Sequence, residues 1–346
     1  MCGGKHRLPP RRAAPSKANP LGEQRITRSE ERGGRSLTRP AAPGLATRDG
    51  VGPSCVSLPP DPARAWPTIT DFLVERFPAI GRSVWLDRMA AHLVLDEFGQ
   101  SVTPERAYQG HIRIYYYRAL EVEPRIPFEE AVIFQDAHLV VADKPHFLPV
   151  TPSGHYLQET LLVRLKNRLN IDTLVPLHRI DRETAGLVMF SVRPCDRNAY
   201  QVLFRQHTIH KHYEAIAPWR SDLAFPITRQ TRIEEGEPFF RQQEVPGTPN
   251  SHTHIDLLDV CGDLARYALS PVTGKKHQLR VHMNALGLPI LNDRMYPPLA
   301  DTPGDDFNRP LQLLAQSVAF TDPVTGEARL FRSQQTLRWP CGQNSG

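Results

Sequence analysis

The sequence predicts an α+β chain in three parts: a basic leader, a small folded unit and a larger body. Three observations point there. Residues 1–65 are rich in Pro, Arg, Gly and Ser and show little apolar periodicity, so they cannot bury enough surface to fold alone. Beyond them, short apolar runs of strand length at 131–134, 139–142 and 187–190 alternate with stretches that repeat apolar residues at helical spacing. At 346 residues the chain is long enough for two domains and a sizeable core.

Charge and cysteine usage narrow the setting. Residues 1–50 hold eleven Lys and Arg against four acids, a net +7, while the whole chain is +5. The body is therefore slightly acidic, and any groove for nucleic acid there must come from local clustering. The leader reads as a disordered basic tail, able to grip phosphates without sequence preference or to be dispensable. Cys2, Cys55, Cys195, Cys261 and Cys341 lie far apart, without zinc or redox spacing, which suits a reducing cytoplasm. No apolar run approaches membrane length, and residues 1–20 lack the apolar core of a secretory signal.

The small unit is expected over 66–125. Phe72, Leu73 and Phe77 follow Thr68 at helical spacing, and 85–95 is a second helical or mixed segment. Residues 111–118 are β-prone, with Arg113 and Arg118 beside Tyr115, Tyr116 and Tyr117. Two readings stay open: the tyrosines stack on single-stranded RNA, or they cover a core.

The body is expected over 126–346. Its first strands are 131–134 and 139–142, around a turn at 135–137. Residues 159–169 form an amphipathic helix, with Leu161, Leu162, Leu165 and Leu169 on one face. Arg164, Lys166 and Arg168 then read as a solvated face without a role. A second helix is expected over 194–207, with Ala199, Val202, Leu203 and Phe204 inward. His207, His210 and His212 follow, but their spacing matches no standard metal site. Alternation over 211–216 makes a strand that puts Lys211, Tyr213 and Ala215 on one face. Turn formers over 242–254 predict a surface loop, and 265–269 a strand. Thr273 is expected to cap a helix running to Leu286 that Gly287 and Pro289 stop. A last strand is expected over 313–320.

One stretch organises the rest. His178, Arg179, Asp181, Arg182, Glu183 and Thr184 crowd into seven positions directly before the apolar run 187–190, with Gly186 at the join. Charged groups in front of a core strand are held by a rigid element. The run His178-Arg179-Ile180-Asp181-Arg182-Glu183-Thr184-Ala185-Gly186-Leu187 resembles the signature His-Arg-Leu-Asp-x-x-Thr-Ser-Gly-Leu of the RluA-type pseudouridine synthases. A protein-kinase loop also begins His-Arg-Asp, but Ile180 intervenes and no glycine loop precedes it. Further matches stand in the same order. Asp143-Lys144-Pro145 leads to Val150 and Pro152, with Phe147 at the family's glycine position. Lys211-His212-Tyr213 matches Lys-x-Tyr. Thr273-Gly274-Lys275-Lys276-His277-Gln278-Leu279-Arg280-Val281-His282 matches Thr-Gly-Arg-x-His-Gln-Ile-Arg-x-His. Asn292-Asp293-x-x-Tyr296 and 313–320 match segments read as structural. The resemblance spans roughly 130–335.

The resemblance implies a mixed, mostly antiparallel sheet with flanking helices, preceded by a small RNA-binding domain. It implies an isomerase that converts uridine in structured RNA, ribosomal RNA first and transfer RNA second. It nominates Asp181 as the catalytic carboxylate, Arg280 as its partner and Tyr213 as the ring that packs on the target base. Arg179, Lys211, Lys275 and His277 are expected to contact RNA; Arg179 either fills the gap left by a flipped nucleotide or makes a structural salt bridge. His277 and Arg280, three residues apart, share a helix face. The reaction moves the ribose bond from uracil N1 to C5 without net redox change, so no cofactor and no metal are expected. No dinucleotide fingerprint or P-loop occurs in the chain. Asp181 can attack C1′ or act as a base at C2′, and the target must leave the RNA stack to be reached. The chain is expected to act as a cytoplasmic monomer. A non-catalytic RNA-binding protein on the same fold is the main alternative. A carboxylate glycosidase would need a second acid across the bond, and none recurs beside these motifs.

Overall fold

In the computed structural model, residues 45, 47–118, 123–154, 156–238, 240–296 and 306–339 are described. The first part contains β1 (Ser54–Ser57), α1 (Ile69–Arg76), α2 (Arg82–Ala90), β2 (Val94–Asp96) and β3 (Arg113–Tyr116). Thr68 starts α1 through a capping box: its hydroxyl accepts from the Asp71 N–H while the Asp71 carboxylate accepts from the Thr68 N–H. The strands pair antiparallel in the order β1-β3-β2. Ile69, Phe72 and Leu73 of α1 and Trp85 and Met89 of α2 pack in one cluster with Val94, Ile114 and Tyr116 of the sheet.

The body adds β4 (Ala131–Gln135), β5 (Leu139–Lys144), α3 (Leu161–Leu169), β6 (Val175–Pro176), β7 (Ala185–Ser191), α4 (Arg197–Arg205) and β8 (His210–Pro218). It continues with β9 (Ile227–Glu235), β10 (Gln242–Val245), β11 (Ser251–Cys261), β12 (Leu264–Pro271), α5 (Gln278–Ala285), β13 (Leu313–Thr321) and β14 (Ala328–Arg332). These strands form one 11-stranded sheet in the order β10-β9-β11-β12-β8-β13-β7-β5-β4, with β14 on β13 and β6 on β7. The β13–β7 pairing is parallel and the others are antiparallel, so the expected mixed, mostly antiparallel sheet is found.

The central strands show why they read as unbroken apolar runs: they are covered on both faces. Val140 and Ala142 of β5 and Val188 and Phe190 of β7 pack with Leu161 and Leu165 of α3. Their neighbours Leu139, Val141, Leu187 and Met189 turn to the opposite face and meet Tyr200 of α4 and Phe320 of β13. A third cluster joins Ala215, Tyr267 and Leu269 of the sheet to Leu279 and Met283 of α5. Among the described residues no helix is long and apolar enough to cross a membrane.

Several expectations are corrected. The tail does not extend to 65: Ser54–Ser57 is a strand, paired Val56 to Ile114, and Leu58 is buried in the first core. A local reading misses it because the partner strand lies far along the chain. Residues 1–44 and 46, where most of the tail falls, lie outside the described residues. Tyr115, Tyr116 and Tyr117 are all buried, and Tyr116 belongs to the first core, where it meets Trp85 edge-on at 5.2 Å. The expected loop over 242–254 is confined to 246–250; strands flank it, β10 before and the start of β11 after. There the inward residues are polar, and Ser251 and Thr253 hydrogen-bond to the buried His282 ring, which hides the alternation from hydropathy. Arg164 is not on a solvated face: it binds Glu159, Glu130 and the carbonyls of Phe128 and Ile126. The helix after 194 begins at Arg197, and its fully buried residue is Tyr200, whose hydroxyl donates to Asp322. Thr273 does not cap α5; His277 holds that place with φ 56°. The Thr273 hydroxyl instead accepts from the His252 N–H and donates to Gln278 Oε1.

Candidate active site

The polar run before β7 is fixed from behind. Gly186 has φ +109°, and a Cβ there would lie 2.3 Å from the Ala315 carbonyl oxygen, where β13 passes alongside. Only glycine allows that approach. The His178 ring stacks on Phe204 at 5.1 Å, and its Nε2 accepts from the Met189 N–H. Burial, helped by the Lys211 charge, pushes its pKa down to about 3, so His178 is a neutral brace.

Two further side chains hold the loop between Asp181 and Thr184. Lys144, at the end of β5, is fully buried and donates to the carbonyls of Pro145 and Arg182. Burial lowers its pKa to about 7, against the pull of Glu183 and Asp181. His146 donates from Nδ1 to the Glu183 carbonyl at 2.6 Å; burial brings it to about 4, so it too is neutral. Phe147 occupies the family's glycine position with φ 68°, a left-handed conformation that strains a large residue. Its ring packs against Phe128 and Phe307 at 5.9 and 5.1 Å.

The facing wall is α5. Arg280 is 2% exposed. Its Nε and Nη2 donate to the two oxygens of Asp293 at 2.8 and 2.7 Å, and its Nη1 donates to Asp181 Oδ2 at 3.1 Å. Burial works against the charge of Arg280, but the Asp293 hydrogen bonds and the charges of Asp293, Asp181 and Glu183 outweigh it and raise its pKa. Asp293 in turn accepts from the N–H groups of Met295 and Tyr296. His277 Nε2 stands 3.9 Å from Asp181 Oδ1, and its Nδ1 is 3.0 Å from the Tyr296 hydroxyl. The Asp181 side chain remains 25% exposed, so it can be reached from solvent.

The site residues named from sequence divide into two groups. Asp181, Arg280 and His277 come together, and Tyr213 stands close enough that burial and then the Asp181 charge raise its phenol pKa. His277, expected to contact RNA, is buried, with its ring between Tyr296 and Asp181. Lys211 donates to the Thr273 carbonyl, and burial lowers it to about 8. Arg179 and Lys275 are exposed and make no side-chain hydrogen bond or ion pair among the described residues; the salt-bridge reading of Arg179 is not what is found. Sequence reasoning names Asp293, Glu183 and Lys144 within its matches but gives them no role at the site. The available signal was physical: a buried arginine requires fixed acceptors on every nitrogen, and Asn292-Asp293 supplies the nearest carboxylate downstream.

Comparisons with known proteins identify the family. The pattern of the RNA pseudouridylate synthase family matches residues 138–285, which takes in Asp181, Tyr213 and Arg280. The dual-specificity RNA pseudouridine synthase RluA of Haemophilus influenzae is 30% identical over 62% of this chain and 97% of its own length. The mitochondrial tRNA pseudouridine(32) synthase of Saccharomyces cerevisiae is 30% identical over 48% of this chain and 36% of its own. The human RNA pseudouridylate synthase domain containing 1 shares the fold, with a TM-score of 0.51 at 20% identity over 62% of this chain and 86% of that one. A relative matched along nearly its whole length, and a family pattern that spans both walls of the site, leave one assignment: the chain belongs to the RluA-type RNA pseudouridine synthases, a family of isomerases.

Proposed function

We propose that the chain converts particular uridines of structured RNA to pseudouridine with Asp181 as the reacting carboxylate. Ribosomal RNA is the first candidate substrate and transfer RNA the second, as named for the yeast relative. One observation carries the reading. Asp181 is partly open to solvent while a fully buried, carboxylate-locked arginine donates to it at 3.1 Å. A carboxylate is thereby held by a fixed donor and still reachable from outside, as attack at a sugar carbon or removal of a sugar proton requires.

The other roles follow from position. The target nucleotide leaves the RNA stack, because its anomeric carbon cannot otherwise meet a carboxylate set back in a cleft. Tyr213 packs on the uracil and is available for a late proton transfer, and its raised pKa keeps the phenol protonated at neutral pH. His277 orients Asp181 from the second side. Arg179 occupies the space vacated in the stack, and Lys275 meets phosphate. The three-stranded unit near the N-terminus adds a further RNA contact. The buried tyrosines do not serve as its stacking surface; Arg113, exposed at the start of β3, is free to meet phosphate.

The test uses the purified full chain with unmodified in vitro transcripts of ribosomal and transfer RNA, read by mass spectrometry of pseudouridine. Conversion without added cofactor is expected, and Asp181→Asn is expected to lower it by about a thousandfold or more. Mapping pseudouridines in cells with and without the gene then identifies the RNA and the position. Conversion that survives Asp181→Asn would remove Asp181 from the reaction.

A further inference from the structure

Arg280 meets Asp181 with one nitrogen. Nε and Nη2 are occupied by Asp293, so Nη1, with two hydrogens, is the group left for the cleft. It stands 3.1 Å from Asp181 Oδ2 and 3.8 Å from Glu183 Oε2. Glu183 is a quarter exposed, and its carboxylate also stands 3.6 Å from Arg182. Its backbone is pinned by His146, while its carboxylate is the strongest charge felt by the buried Lys144 ammonium. A second acid thus sits against the same guanidinium, just outside hydrogen-bond distance, and nothing above assigns it a part.

The chemistry gives it one. If Asp181 attacks, an oxygen–C1′ bond forms and the electron pair of the C1′–N1 bond leaves with uracil. If Asp181 acts as a base, it takes the C2′ proton, the C2′–H pair becomes the C1′–C2′ double bond, and the C1′–N1 pair again leaves with uracil. Either way Asp181 ends neutral, as an ester or an acid, and the negative charge departs on the uracil anion. Arg280, buried at 2% exposure, then faces a neutral group through Nη1. Leaving part of a buried cation uncompensated raises the energy of that state. Asp293 already spans Nε and Nη2 on the other edge of the guanidinium, and its Oδ1 also accepts from two backbone N–H groups, so it does not reach Nη1.

We propose that Glu183 is a positioning residue that takes over Arg280 Nη1 as Asp181 is discharged and gives it back when the carboxylate is regenerated. The inference rests on the reading of Asp181 given under the proposed function. From 3.8 Å, a side-chain adjustment of about 1 Å brings Glu183 to hydrogen-bond distance. Glutamine keeps the shape at this position but brings no charge to offset the guanidinium; aspartate keeps the charge with a shorter reach.

The experiment compares wild type, Glu183→Gln and Glu183→Asp in single-turnover conversion of the same mixed transcripts, with RNA affinity and thermal midpoint measured alongside. Glu183→Gln is expected to slow conversion roughly tenfold while RNA affinity stays within about twofold and the thermal midpoint is unchanged. Glu183→Asp is expected to recover part of the rate. Conversion by Glu183→Gln within about twofold of wild type, or a rate loss matched by equal loss of affinity or of folded stability, overturns the proposal. Asp181→Asn in the same assay separates the two readings. If it still converts uridine, the assignment of Asp181 is wrong; if it is silent while Glu183→Gln is unimpaired, only the role of Glu183 is wrong.

Discussion

Arg179 and Arg280 are the same side chain used in opposite ways around one carboxylate. Arg179 lies two residues from Asp181 in sequence, yet it is exposed and unpaired among the described residues. Arg280 lies 99 residues away and is the one that donates to Asp181. The difference is burial with saturation. Asp293 fills two nitrogens of Arg280 and so aims the third, whereas Arg179 keeps its fork free for a ligand. Adjacency in sequence does not say which guanidinium serves an acid; the acceptors behind it do.

The comparison breaks most readily at Arg280. Arg280→Ala leaves Asp293 fully buried without its cation and Asp181 without its donor. Unfolding in urea is expected to show a loss of about 3–5 kcal/mol, and conversion is expected to vanish. Arg280→Lys keeps the charge but loses the planar fork, so it should fall between wild type and alanine in both measurements. A stability loss under about 1 kcal/mol for the alanine variant would mean that Asp293 does not lock this arginine.

How far the sequence shows such a site depends on whether its partners are local. The run from His178 to Leu187 is legible because a polar knot and the strand that holds it are contiguous. The run from Thr273 to His282 is legible for its motif but not for its backbone: His277 takes a left-handed φ that no periodicity announces. The Arg280–Asp293 grip is illegible, since nothing in an Asn-Asp pair states which cation it meets. The same limit explains the missed strands. β1 is made by pairing with β3, and β11 turns Ser251 and Thr253 inward to hydrogen-bond with His282. Long-range hydrogen bonds supply what apolar alternation would have signalled. Arg164 reads as a surface charge for the same reason, as its acceptors lie 34 to 38 residues upstream and at Glu159.

Lys144 sharpens the contrast between enclosed and exposed cations through pH. Burial lowers its pKa from an ordinary 10.5 to about 7 in the folded chain. Between those values the unfolded chain binds the extra proton, so folded stability should rise with pH across that window, by at most about 1.4 kcal/mol per unit. Below about pH 7 the lysine is charged in both states, and its contribution no longer changes with pH. Urea unfolding of wild type and Lys144→Met at pH 6, 8 and 9.5 checks this. The wild type should gain relative to the variant as pH rises, and parallel curves would show that the ammonium is not desolvated.

The exposed cations should give the smallest effects and of a different kind. Arg179→Ala and Lys275→Ala remove no side chain partnered among the described residues, so folded stability should stay within about 0.5 kcal/mol. Each lost phosphate contact should instead weaken RNA binding and reduce the slope of log affinity against log salt by about one. The two variants should then diverge. If Arg179 fills the vacated stack, its alanine variant slows conversion more than it weakens binding, because extrusion of the target is what it supports. Lys275→Ala, acting only through charge, should change KM and leave kcat alone. Equal loss of kcat and affinity in both would make Arg179 one more phosphate contact, and the exposed arginine two residues before Asp181 would have no part in exposing its substrate.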